Sequence, residues 1–169
     1  MNEANEFLLR YISRHVPGAQ WLIAGGYARD IALGAVPKDM DIVICSRLGY
    51  PTWLDDLPEP WFIDEVNEPS EMADEDVNDF DDRLSYVVQL EAEGGLSADL
   101  LFPLAPTPLE YVKLFDFNIN QFVMTGHYDA GPVFVGKDYG RLVQLRNAKV
   151  SPERREYMEA KARAFGWEV

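Results

Sequence analysis

The sequence predicts an α/β (α+β) domain built on a small mixed, mainly antiparallel sheet backed by helices. Three observations predict it. Two short apolar runs, Trp21 to Ile23 and Asp41 to Cys45, are each bounded by turn residues. Two β-rich runs, Leu84 to Leu90 and Leu96 to Phe102, flank Glu93-Gly94-Gly95, the pattern of a hairpin. Helical periodicity marks both ends of the chain. At 169 residues there is room for one hydrophobic core, so residues 1–169 read as a single minimal domain. An acidic insertion is expected at about 50–82 and a C-terminal helix at about 152–165.

Residues 4–16 place Phe7, Leu8, Tyr11, Ile12 and Val16 on one helical face, and Pro17-Gly18 ends that helix. Trp21-Leu22-Ile23 follows as a buried strand running into Gly25-Gly26. Tyr27 to Leu33 has helical composition, closed by Gly34 and Pro37. Asp41 to Cys45 is the second strand, and Cys45, the sole cysteine, is expected to pack as a small buried hydrophobe. From Tyr50 to about Asp82 the chain is rich in Pro and acids but keeps Trp53, Trp61, Phe62 and Phe80. A long, partly packed loop with at most one short element is expected there. After the hairpin, Thr107-Pro108 starts a helix with Leu109, Val112, Ile119, Phe122 and Val123 at roughly helical spacing. A second hairpin is expected over Pro132 to Leu145, turning near Lys137 to Gly140. Ser151-Pro152 caps the last helix, which is expected to lie at the sheet edge. The four tryptophans are read as core or loop anchors, and His15 and His127 as polar or solvated side chains.

The net charge of -14 argues against a partner held by a broad basic surface. Thirteen of the 29 acids fall between Arg47 and Arg83, where no base occurs, and the remaining sixteen face fifteen bases. The stretch after Gly136 is mildly basic. No apolar run approaches membrane-spanning length, and the acidic, polar start of the chain is unlike a secretory signal, so a cytoplasmic location is expected.

The chemistry gathers at Ala24-Gly25-Gly26-Tyr27-Ala28-Arg29-Asp30 and Lys38-Asp39-Met40-Asp41-Ile42-Val43. Paired glycines between a strand and a helix let backbone amides approach phosphate oxygens. Asp39 and Asp41, one residue apart as a strand begins, share one side of the sheet because strand side chains alternate. Such a pair repels itself unless a cation neutralises it, and Mg²⁺ favours carboxylate and phosphate oxygens. Asp99 lies in the apolar strand Leu96 to Phe102, where an unpaired carboxylate is costly to bury. A neighbouring strand could bring it beside Asp39 and Asp41 to complete a two-metal site.

Gly25-Gly26-x-x-Arg29-Asp30 with Lys38-Asp39-x-Asp41-Ile42-Val43 resembles the head of the CCA-adding tRNA nucleotidyltransferases and bacterial poly(A) polymerases, within the DNA polymerase β-like superfamily. Asp116-Phe117-Asn118-Ile119-Asn120 is similar to the segment that closes that head, and the match covers roughly residues 20–145. The resemblance implies a nucleotidyltransferase-type head on which Asp39, Asp41 and Asp99 bind metal, with Gly25 and Gly26 as triphosphate contacts and Lys38 also on the nucleotide side. Arg29 and Asp30 would shape the nucleotide site through an ion pair or a phosphate contact. Mg²⁺ or Mn²⁺ is the implied cofactor, and a nucleoside triphosphate the substrate. Two departures stand out. Leu114 and Phe115 replace residues where the family has arginine, and Asn118 replaces a threonine. The helical neck and body that select the base and bind tRNA have no counterpart here, so CCA addition itself is not expected.

The expected reaction is transfer of a nucleoside monophosphate to an acceptor hydroxyl on a protein, a small molecule or a short RNA end, with no long nucleic acid and no membrane as partner. Two other readings are a catalytically weak nucleotide- or protein-binding module and an acidic decoy of a nucleic-acid-binding partner.

Overall fold

The computed structural model describes residues 2–46, 50–68, 83–125, 130–145 and 150–169. Phe80, the acids from Glu71 to Asp82, and His127 lie outside the described residues. The elements are α1 (Glu3–His15), β1 (Trp21–Ala24), α2 (Gly26–Ala32), β2 (Met40–Ile44), β3 (Trp61–Asn67), β4 (Leu84–Ala92), β5 (Leu96–Pro103), α3 (Pro108–Val112), β6 (Phe122–Met124), β7 (Val133–Phe134) and α4 (Pro152–Ala164). One seven-stranded sheet runs in the order β3-β4-β5-β2-β1-β6-β7. Every pairing is antiparallel except β2 with β5, so the sheet is mixed and mainly antiparallel, as expected. Among the described residues no helix is long and apolar enough to cross a membrane.

Alternation along the strands divides the core. Trp21, Ile23, Met40, Ile42, Ile44, Ala98 and Leu100 point to one face, where α1, α2 and α4 pack through Leu8, Leu9, Ile12, Ala28, Met158 and Ala162. Leu22, Ala24 and Val43 point to the other, where Tyr111 and Val112 of α3 and Phe115 cover them. The second face is therefore not left open along its whole length, as a sheet with helices on one side would be. Nor does α4 sit at the edge: Met158 and Ala162 are fully buried in the main core. Burying a side chain of methionine size contributes about 1.5–3 kcal/mol, enough to hold a 13-residue helix inward. Cys45 is buried as expected, and burial pushes its thiol up to about 11.

Several expectations need correction. In α1 the buried stripe is Asn5, Leu8, Leu9 and Ile12, while Phe7 is exposed. The insertion holds a short 3-10 turn, Thr52–Asp56, and then the seven-residue edge strand β3 rather than a loop. Its alternation is masked by a bulge between Ile63 and Glu65 and by acids on its outward positions. Trp61 is buried and donates its indole N–H to the Ala4 carbonyl at 2.6 Å, Trp53 packs on the core, and Phe62 is exposed. His15, on the surface, stacks on Trp53.

The helix begun at Pro108 stops at Val112, and Ile119, Phe122 and Val123 lie in a 3-10 turn and in β6. Asn118 explains the break. It is fully buried, its amide donates to the carbonyls of Lys137 and Arg141, and its Oδ1 accepts from the Val143 amide. A side chain so used behaves as a piece of backbone and holds the 137–143 loop. The chain does turn at Asp138 to Gly140, but β7 pairs with β6, and residues 141 and 144 bridge to Glu168 and Phe117. The expected second hairpin is thus replaced by two separate pairings.

Candidate active site

The parallel ladder between β2 and β5 sets Asp41 directly opposite Asp99, and Met40 opposite Ala98. Asp39, two residues before Asp41, falls on the same side, and its Oδ1 accepts a hydrogen bond from Ser97 Oγ on β5. Asp99 is in an interior strand, paired on both sides by β4 and β2, so it is no edge acid. The three carboxylates lie where α3 and Phe115 leave the second face uncovered.

They line a cavity of about 440 Å³ together with Gly25, Gly26, Arg29 and Lys38. All seven residues singled out from the sequence are therefore brought together. Lys38 reaches the cavity from the exposed loop before β2. Gly25 has φ +71, and a Cβ built on it would stand 3.1 Å from Asp41 Oδ2. Only glycine lets the backbone pass that carboxylate. The Gly25 amide already donates to the Phe122 carbonyl at 3.1 Å, which removes one of the two expected phosphate donors. Gly26, first residue of α2, keeps an amide with no partner one turn back.

Arg29 resolves into an ion pair rather than a free phosphate contact. Its guanidinium, almost fully buried, donates to Asp30 Oδ1 at 2.6 and 2.7 Å and to Asn120 Oδ1 at 2.8 Å. Asn120 in turn donates to Asp116 Oδ1 at 3.3 Å, and Arg154 of α4 donates through Nε to Asp116 Oδ2 at 2.8 Å. The chain Asp30-Arg29-Asn120-Asp116-Arg154 fastens α2 and α4 to the turn before β6. Buried charges of this kind are tolerated because each is paired.

Burial, then the charges of Asp99 and Asp39, push the Asp41 carboxyl up to about 7, against a smaller opposing pull from Arg29 and Arg154. Burial and the charge of Asp39 raise Asp99 as well. The cluster thus carries more negative charge than its surroundings neutralise, the condition in which a divalent cation binds. Among the described residues no group of three or more His, Cys, Asp and Glu side chains is placed to hold a metal ion by itself. Mg²⁺ does not require one: it keeps waters and takes one or two carboxylates plus substrate phosphates. The oxygen-only donor set of Asp39, Asp41 and Asp99 is of the kind such an ion takes, one or two carboxylates at a time with substrate phosphates.

The sequence reading missed one wall. Arg154, Tyr157 and Lys161 of α4 line the same cavity. Their spacing of three and seven residues puts them on one helical face, a signal available from the sequence once α4 is placed near the site. Tyr111 and Phe115 add apolar lining, and Phe115 fills a position singled out only as a departure from an arginine.

No protein-family model and no curated protein sequence matches the chain. Solved structures do resemble it. An apo CCA-adding enzyme superposes with a TM-score of 0.57 at 18% identity, covering 83% of this chain and 32% of its own. A CCA-adding enzyme in complex with CTP gives 0.56 at 18%, covering 86% and 33%. The Thermotoga maritima CCA-adding enzyme complexed with tRNA gives 0.54 at 18%, covering 83% and 32%. The chain therefore spans about a third of the length of these structures and has the fold of a nucleotidyltransferase head.

Proposed function

We propose that the chain is a metal-dependent nucleotidyltransferase that moves a nucleoside monophosphate from a nucleoside triphosphate, ATP among the candidates, to an acceptor hydroxyl. The observation that carries the reading is the register of β2 and β5, which seats Asp41 against Asp99 with Asp39 on the same face and Gly25-Gly26 in the same cavity. Bound Mg²⁺ or Mn²⁺ would neutralise the carboxylates and polarise the phosphoryl oxygens. Asp39 and Asp41 serve the triphosphate side, and Asp99 the side from which the acceptor approaches. The acceptor oxygen bonds to the α-phosphorus, and the bond from that phosphorus to the α,β-bridging oxygen breaks. Pyrophosphate leaves with the electron pair, and the hydroxyl proton passes to water. The protein's part is positioning and charge, the usual division of labour in phosphoryl transfer.

Similar folds solved in complex with CTP and with ATP support the binding of a nucleoside triphosphate. The chain spans about a third of the enzyme solved with tRNA. The charge of the chain favours a protein, a small molecule or a short RNA end. The test is incubation with each labelled nucleoside triphosphate and Mg²⁺ in a host lysate, following label into protein, RNA or small molecules beside pyrophosphate release. Label transfer that disappears in Asp41→Asn is expected; no transfer and no pyrophosphate from any nucleotide would overturn the reading.

A second reading, a nucleotide-binding module without efficient turnover, is favoured by Phe115, whose ring lies 4.0 Å from the Cβ position of Gly25 and presents no charge there. Calorimetric binding of triphosphate with no pyrophosphate release would select it.

A further inference from the structure

The cavity holds four cations, and they are not equivalent. Arg29 is committed to Asp30, and Arg154 to Asp116. Lys38 and Lys161 take part in no ion pair among the described residues. Lys38 adjoins Asp39 in the chain and stands on the carboxylate side. Lys161 comes from α4, is partly buried, and is held by rings rather than by acids: its ammonium lies 5.8 Å from the Tyr157 centroid and 5.9 Å from that of Phe165. Arg29 lies 5.8 Å from the same Phe165 ring, and Arg29 Nη2 is 3.4 Å from the Cβ position of Gly26. Lys161 thus shares the Phe165 ring with Arg29 and lines the same cavity as Gly25 and Gly26.

An ammonium kept partly out of water against two rings, without a carboxylate, is poised for an incoming anion. Metal ions on the aspartates would neutralise only part of the charge of a triphosphate, which leaves its terminal phosphates open to a side-chain cation. We propose that Lys161 binds the β- and γ-phosphates of the nucleoside triphosphate, and so selects triphosphate over monophosphate and holds the departing pyrophosphate. Tyr157 and Phe165 position the ammonium. The assignment rests on the reading of the cavity as a nucleotide site.

The experiment measures binding of ATP, AMP and inorganic pyrophosphate, each with Mg²⁺, to the full chain and to Lys161→Met, Lys161→Arg and Asp41→Asn. Circular dichroism confirms that each variant is folded. Loss of one charge-assisted contact is worth on the order of tenfold in affinity. Lys161→Met is expected to weaken ATP and pyrophosphate about tenfold and AMP less than about twofold, with Lys161→Arg restoring most of the loss. A Lys161→Met protein with the unaltered ratio of ATP to AMP affinity, in a series where Asp41→Asn still abolishes ATP binding, overturns the role of Lys161 and leaves the nucleotide site standing. An unaltered chain that binds none of the three ligands overturns the nucleotide site and Lys161 with it.

Discussion

Replacing Asp41 by Asn should stabilise the metal-free protein, and the gain should depend on pH in a definite direction. The Asp41 carboxyl moves from 3.8 to about 7 on folding, chiefly through burial and then through Asp99 and Asp39. A carboxyl raised in the folded state binds more protons there than in the unfolded chain, so between these two values stability falls as pH rises. The cost is absent below about pH 4, grows through the interval, and is complete above about pH 7. At 1.36 kcal/mol per pH unit the ceiling is about 4 kcal/mol; water reaching a partly buried carboxyl reduces it, so about 1–3 kcal/mol is expected. For a chain of this size each kcal/mol shifts the melting temperature by about 2–4 °C. In chelator at pH 8, Asp41→Asn should therefore melt about 2–12 °C above wild type, and at pH 4.5 only about a quarter of that difference should remain. Mg²⁺ with ATP should reverse the order at pH 8, because only wild type gains binding energy. Thermal melts at the two pH values, with chelator and with Mg²⁺ and ATP, test all three statements. A variant that melts below wild type at pH 8 in chelator would refute the reasoning, since Asp41 would then be holding the fold together.

Asp99→Asn should leave nucleoside triphosphate affinity within about threefold and lower transfer by about a hundredfold or more, measured as pyrophosphate release; unchanged turnover would remove Asp99 from the site. Gly25→Ala should lose about 1–3 kcal/mol in denaturant titrations and lose nucleotide binding, because the methyl meets both an unfavourable φ and Asp41 Oδ2. Binding of single-stranded RNA and tRNA should be weak at about 50 mM salt and should not show the steep decline toward about 200 mM that many phosphate contacts produce. Submicromolar binding with such a decline would return a long RNA to the front as acceptor.

The sequence carried the site more completely than the fold around it. Asp39 and Asp41 are a local pattern on one strand, and Gly25-Gly26 is a local pattern at a strand end, so period-two alternation and turn chemistry suffice to place them. Asp99 was inferred from the cost of a lone acid in an apolar strand, and the parallel ladder supplied the partner. The α4 wall was invisible because nothing local says that residues 154–161 turn toward residues 25–41; that is decided by Met158 and Ala162 in the core and by Arg154 on Asp116. The 107–123 region departs from its sequence pattern for a related reason. Its apolar spacing suits a helix, but one buried asparagine spends its hydrogen bonds on a distant loop. β3 was hidden by its acids, since an edge strand that discourages further pairing carries charges where an interior strand would alternate.

The pairing of Asp41 with Asp99 joins positions 41 and 99 of the chain, whereas the β4-β5 hairpin beside it closes over three residues, Glu93 to Gly95. Closing a loop of that length costs about 3–4 kcal/mol of chain entropy before any contact offsets it. The hairpin can form on its own, but the carboxylate cluster exists only once the long-range β2-β5 ladder is made, and the repulsion among the carboxylates falls on that same step. A chain with its hairpin formed and β2 undocked would therefore lack the whole cluster, so the site is made or lost with the β2-β5 pairing as a unit.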